Sequence, residues 1–305
     1  MGTPDFAVPA LKAIHESKHQ ICTVVTNPDK PFGRGQKLKP SDVKIVAEKL
    51  NYPILQPTKL NESQFLNEIN ALNPDLFVVV AFKKLPPQLY NIAKHGAVNI
   101  HASLLPKYRG AAPIHHAILN GDKETGVTTF QINEKIDTGN ILFQEKINID
   151  LTDTVGSLWI KLSNLGKNVI LKTLDQFDLG KMNYQMQDNQ IATKAPKIKP
   201  EDIKINWNNS AISIHNQIRA FSPKPGAYTT LNGKRLKLLS TSICNPLDEY
   251  NNGLPGKIIV NKNIMIIITG DGTLNVLEIQ LEGKPKMNVK SYLAGNKIGE
   301  DAICL

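Results

Sequence analysis

The chain has 305 residues, 41% of them hydrophobic and 21% charged, which is enough material for two hydrophobic cores and ordinary for a folded protein. Thirty-six basic against 27 acidic residues leave a net charge of +9, which admits a polyanionic partner without naming one. Cys22, Cys244 and Cys304 are odd in number and lack metal-type spacing, which excludes a disulfide framework and a zinc site; with no apolar run of membrane-spanning length and no targeting pattern, the cytoplasm is the expected location.

Taken in order, Pro9 to Ser17 predicts a helix with Ala10, Leu11 and Ile14 on one side, and Ile21 to Thr26 an apolar strand that makes Cys22 a core residue. The next stretch, 27–40, holds so many Pro and Gly that neither helix nor strand is expected. Within it, residues 30–39 carry Lys30, Arg34, Lys37 and Lys39 and no acid. Ser41 is placed to cap a helix reaching about Leu50. Asn61 to Leu72 has helical spacing. Asp75 to Val80 is a continuous apolar run of the kind buried on both faces of a parallel sheet.

Ala97 to His101 then alternates as a strand ending in polar residues and leads into a turn with Ser103, Pro106 and Gly110 before Pro113 opens a helix. Asn99 and His101 are two apart and so share a strand face. A strand that ends in polar side chains is where open α/β sheets place their chemistry. Asp137 lies in a turn between strands expected at Gly126 to Ile132 and Ile141 to Ile149, and Thr154 to Phe177 is a long amphipathic helix. Strand and helix alternate only through residues 1–180, which predicts a doubly wound, mostly parallel α/β domain.

Residues 181–199 are polar, proline-punctuated and aperiodic, with four lysines and one aspartate, and read as a basic linker. Residues 200–305 open with a helix at about Ser210 to Phe221. Short strands follow, separated by turn signals such as Asn232-Gly233 and Asp271-Gly272, and a small β-barrel is the natural expectation.

The stretch 96–114 resembles the signature of the methionyl-tRNA formyltransferases, a branch of the 10-formyltetrahydrofolate-dependent transformylase family. The resemblance runs over about residues 2–295, dense at 26–44 and 97–141. It implies an OB-like barrel for residues 200–305. It also implies that Asn99, His101 and Asp137 are catalytic, that Ser103, Leu104, Leu105 and Pro106 contact the folate, and that Arg34, Lys37 and Lys39 in a basic loop contact tRNA. The implied reaction moves the formyl group of 10-formyltetrahydrofolate to the α-amino group of initiator methionyl-tRNA, with no metal. The chemistry suits the residue types. Asn99 can donate to the oxyanion of a tetrahedral intermediate, and His101, oriented by Asp137, can move protons.

Lys83 and Lys84 stand in a region where many relatives have a glycine and are left out of the site. Two alternatives remain open at this point: a transformylase acting on a small amine of a nucleotide or sugar, and a folate- or RNA-binding protein without catalysis. No segment reads as a dimer seam, so a monomer is expected. The resemblance also implies a short hydrophobic strand ahead of Gly2, inside the sheet. Only Met1 precedes Gly2 here, so that strand is expected to be missing, and the natural protein to start upstream.

Overall fold

The computed structural model describes residues 1–32, 36–244, 253–299 and 301–305. The chain divides into two compact units: Met1–Pro113, Glu124–Asn148 and Trp159–Pro196 form the first, and Ile114–Lys123, Ile149–Leu158 and Lys197–Leu305 the second.

In chain order the elements begin with α1 (Val8–His15), β1 (Val24–Val25), β2 (Lys30–Phe32), β3 (Lys37–Lys39), α2 (Asp42–Lys49), β4 (Ile54–Leu55) and α3 (Ser63–Ala71). Next come β5 (Phe77–Val80), α4 (Pro87–Tyr90), β6 (Ala97–His101), β7 (Arg109–Gly110), α5 (Pro113–Leu119), β8 (Glu124–Gln131), β9 (Ile141–Asn148), α6 (Val155–Asp178) and β10 (Lys194–Ala195).

The apolar run 77–80 forms β5, which pairs parallel with β6. On its other side β6 pairs antiparallel with β8, which pairs antiparallel with β9. The parallel pairing extends separately to β1 with β4. Phe65 and Ile69 of α3 pack with Phe77, Val79, Leu85 and Leu89 in a core on this sheet. Gly166 of α6 is close enough that an added Cβ would lie 3.2 Å from Ile100 of β6. Nearby, the Thr129 and Thr173 hydroxyls meet at 2.7 Å, and Thr173 Oγ1 donates to Val169 O at 2.8 Å, so the polar pair is satisfied where it is buried.

Two expectations for the first 60 residues need correction. Strand β1 is only two residues long and Cys22, expected in the core, is exposed. The segment expected to lack regular structure forms a hairpin, with Lys30, Pro31 and Phe32 facing Lys39, Leu38 and Lys37. In a two-stranded ribbon both strands are edges, so the donor that Pro31 lacks need not be missed by a neighbour. Ser41 does cap α2, accepting from Lys44 N at 3.1 Å. Met1 and Gly2 lie between β1 and β5: Gly2 N donates to Val25 O (3.0 Å), while Val80 N donates to Met1 O (2.9 Å). A cavity of about 610 Å3, lined in part by Ile14, Val24, Leu76 and Phe77, opens beside them.

Of the segment 181–199, expected as a linker, residues 181–196 pack into the first unit. Gln185 and Ile141 exchange backbone hydrogen bonds of 2.9 and 2.8 Å, and β10 pairs parallel with β7. A polar segment without periodicity can be well ordered when its backbone groups are taken up by neighbouring loops.

The second unit continues with α7 (Ala211–Phe221), β11 (Ala227–Leu231), β12 (Lys234–Cys244), β13 (Ile258–Asn261), β14 (Ile264–Ile268), β15 (Thr273–Leu281), β16 (Lys286–Asn288) and α8 (Val289–Gly295). The sheet order is β11-β12-β15-β14-β13, with β16 on β15. Asn232 and Gly233, both at positive φ, turn β11 into β12, as the Asn-Gly signal predicts. Ile214, Ile218 and Phe221 of α7 pack with Leu236, Leu238, Ile267, Leu274 and Ile279. The OB-like barrel is not confirmed: no sheet closes on itself, and among the described residues β11 and β13 are not paired with each other. Residues near the C-terminus cover these edges instead. Thr230 and Leu305 exchange backbone hydrogen bonds (2.9 Å each), and Cys304 N donates to Gly256 O (2.8 Å).

Candidate active site

Strand β6 carries both Asn99 and His101, held by β5 on one side and β8 on the other: Asn99 faces Val79 and Phe130, and His101 faces Thr128. Asn99 is half-buried, and its amide has no hydrogen-bond partner among the described residues. It is therefore open to a ligand. His101 is buried, with its ring edge-on to Phe130.

Both ring nitrogens of His101 face acceptors. Nε2 lies 2.8 Å from Tyr108 O, and since a carbonyl only accepts, that nitrogen carries the hydrogen. Nδ1 faces Asp137 Oδ2 at 3.7 Å, longer than a direct hydrogen bond. The turn after β6 makes this possible. Tyr108 has φ +63°, its N–H donates to Thr193 Oγ1 (2.8 Å), and its carbonyl is thereby turned onto the imidazole.

Asp137 also sits at positive φ (+54°), and its Oδ2 accepts from Gly110 N at 2.8 Å. Gly110 has φ +128°, and a Cβ there would lie 2.5 Å from Ala195 O, so only glycine fits between Asp137 and β10. Thus Asn99, His101 and Asp137 are brought into one neighbourhood, the first two by a strand and the third by a loop.

The turn 103–106 is held largely by hydrogen bonds within the protein. Ser103 Oγ donates to Lys107 O (2.6 Å), and Ser103 O accepts from Thr128 Oγ1 (2.7 Å). Leu104 O accepts from Lys107 N, Leu105 N donates to Thr128 Oγ1, Leu105 O accepts from Gln144 Nε2, and Pro106 O accepts from Thr193 N. Most of its backbone groups are committed to the protein, with Leu105 buried and Leu104 and Pro106 half-exposed. Thr128, Gln144 and Thr193, which sequence reasoning missed, hold this turn.

Of the three basic residues expected at the nucleic acid, Arg34 lies outside the described residues. Lys37 and Lys39 lie on β3, and Lys39 is exposed opposite Lys30. Elsewhere His19, Asp175 and Asp178 bring ligand-type atoms within 4.8 Å of one another, but Lys18 Nζ sits 3.2 and 3.1 Å from the two carboxylates. That group is an ion-pair network.

Residues 1–174 match the formyl transferase family and residues 197–297 match the formyl transferase C-terminal domain. The chain belongs to the formyl transferase family. Among relatives of this formyl transferase, the methionyl-tRNA formyltransferase of Geobacter metallireducens is 45% identical over 300 residues, covering 98% of this chain and 95% of the relative. That of Porphyromonas gingivalis strain W83 is 43% identical over 310 residues, covering 99% and 96%. Among solved structures, the sugar 3N-formyl transferase WlaRD, studied in the presence of dTDP and 5-N-formyl-THF, superposes with a TM-score of 0.68 at 27% identity, covering 93% of this chain and 97% of its own. The N-formyltransferase of Helicobacter canadensis, with a TM-score of 0.69 at 24% identity over 90% of this chain and 96% of its own, shares the fold.

Proposed function

We propose that this formyl transferase moves the formyl group of 10-formyltetrahydrofolate to the free α-amino group of initiator methionyl-tRNA, acting as a monomer in the cytoplasm. The observation that carries the chemistry is the facing of His101 Nδ1 and Asp137 Oδ2, with Asn99 two residues before His101 on the same strand. The acceptor is supported by relatives bearing that name at 43–45% identity over nearly their whole length. A folate donor is supported by the formyl-folate named with WlaRD.

The amine nitrogen attacks the formyl carbon, and Asn99 donates to the oxygen that becomes negative. Preorganised donation of this kind is worth about two to three decades in rate. Because Tyr108 O holds the hydrogen on Nε2, Nδ1 presents its lone pair and takes the proton that the attacking nitrogen sheds. The Asp137 carboxylate stabilises the imidazolium so formed. His101 then returns the proton to N10 of the folate as the bond from N10 to the formyl carbon breaks. The new bond is N–C(formyl), the lost one C(formyl)–N10, and one proton passes between the two nitrogens. Ser103, Leu104, Leu105 and Pro106 would then wall the folate with apolar side chains more than with backbone groups. Lys37 and Lys39 on β3, together with Arg34, which lies outside the described residues, would meet tRNA phosphates.

The test offers 10-formyltetrahydrofolate with methionyl-tRNA and, separately, with a nucleotide-linked amino sugar. Formylation of methionyl-tRNA alone supports the reading. Turnover of the sugar in preference would move the chain to the other branch of the family.

A further inference from the structure

We infer that Gln187 is a positioning residue that holds the Asp137 loop in its working conformation. This rests on the reading that Asp137 and His101 act in formyl transfer. Gln187 belongs to the polar segment after α6 and is 8% exposed. Its Nε2 donates to two carbonyls of the loop at once, Asp137 O at 3.0 Å and Gly139 O at 2.7 Å. Its Oε1 accepts from Arg109 twice, from Nε at 3.0 Å and from Nη2 at 2.7 Å. All the hydrogen-bonding capacity of the amide group is therefore directed between the Asp137 loop and the turn that carries Tyr108 and Gly110.

The arrangement answers a specific need. Asp137 adopts φ +54°, a region that is sterically disfavoured for a non-glycine residue and persists only where neighbours impose it. Gripping the carbonyls of Asp137 and Gly139 on either side of Thr138 imposes it. Gly139 packs closely on Gln131, where an added Cβ would overlap the Gln131 carbonyl oxygen. Gln187 is itself anchored on both flanks, by the Gln185–Ile141 backbone pair and by β10 against β7. Arg109 Nη2 further bonds Asn189 Oδ1 at 2.9 Å, extending the same clasp.

The experiment measures formyl transfer for Gln187→Ala, Gln187→Glu, Asp137→Asn and the Asp137→Asn/Gln187→Ala double variant of the full chain. Glu keeps the shape and the Arg109 partner but offers only oxygens to two carbonyls, so it tests the clasp even if Ala folds poorly. We expect both Gln187 variants to lose about tenfold or more in kcat, within the hundredfold that a 1 Å misplacement can cause, with KM for both substrates nearly unchanged. In the Asp137→Asn background Gln187→Ala should cost less than threefold further, because the residue acts through Asp137. Wild-type kcat in Gln187→Glu overturns the proposal, and so does a full tenfold loss that persists in the Asp137→Asn background. Full activity of Asp137→Asn alone would instead overturn the catalytic reading on which it rests.

Discussion

His101 Nδ1 stands 3.7 Å from Asp137 Oδ2 while Nε2 of the same ring is fixed on Tyr108 O at 2.8 Å. One nitrogen is thus locked and the other is held near a carboxylate without being consumed by it. Catalytic hydrogen bonds commonly tighten only when substrate is bound.

Replacing His101 with Ala should therefore lower kcat by about two to four decades, the usual worth of a positioned proton-transfer group. Folate binding, followed by fluorescence titration, should change little. Asn99→Ala should lose about two to three decades by removing the oxyanion donor. Retained turnover in either variant would send the chemistry elsewhere.

Gly110→Ala should damage the site through the backbone. The new methyl group would press on Ala195 O in a conformation that side chains rarely adopt. Both the melting temperature and kcat should fall, and a variant as stable and active as the parent would contradict the packing of β10 on β7.

The second unit should lose stability in mild acid. Burial, and then the charge of Arg219, lower the His215 pKa, while its Nδ1 meets Thr241 Oγ1 at 2.9 Å and the Leu151 backbone pulls weakly the other way. His115 is lowered by burial and by His116. The unfolded chain takes up these protons at about pH 6.5, the folded chain only below that. Stability contributed by the neutral rings is therefore complete above about pH 6.5 and declines as pH falls beneath it. Urea denaturation at pH 7.5 and 5.5 should show the loss, and His215→Asn should flatten it. An unchanged pH slope in that variant would rule His215 out.

Cys304 should be chemically silent in the folded protein. It is 2% exposed, and burial pushes its thiol up to about 12, leaving almost no thiolate near neutrality. Exposed Cys22 should alkylate with iodoacetamide in native buffer, with Cys304 following only in denaturant, as read by peptide mass spectrometry. Equal labelling of the two in native buffer would show that the covering residues 302–305 open readily.

Salt should weaken the use of tRNA. If the β2–β3 hairpin meets phosphates, KM for methionyl-tRNA rises steeply with added KCl and the slope shrinks in a Lys37→Ala/Lys39→Ala variant. The KM for the folate donor should barely respond. A parallel rise in both would point to a general effect of salt on the enzyme.

Much of this protein is written in local pattern. The apolar run of β5, the alternation of β6, the helical spacing of α6 and the Asn232-Gly233 turn are legible because side-chain period and φ preference act within a few residues. That Asn99 and His101 share a face follows from the same period of two. The roles of these residues, though, came through family resemblance and from no pattern of spacing.

Only the tertiary structure brings Asp137 to His101, turns the Tyr108 carbonyl onto Nε2, and fastens Gln187 onto a loop 50 residues away. Loops meeting across such distances leave no periodic trace in the chain. The same holds for the hairpin that Pro31 tolerates at an edge, and for the sheet of the second unit that stays open while Cys304 and Leu305 cover its borders. Each depends on which backbone donors and acceptors remain unpaired after folding, a quantity that exists only once the strands have found their neighbours.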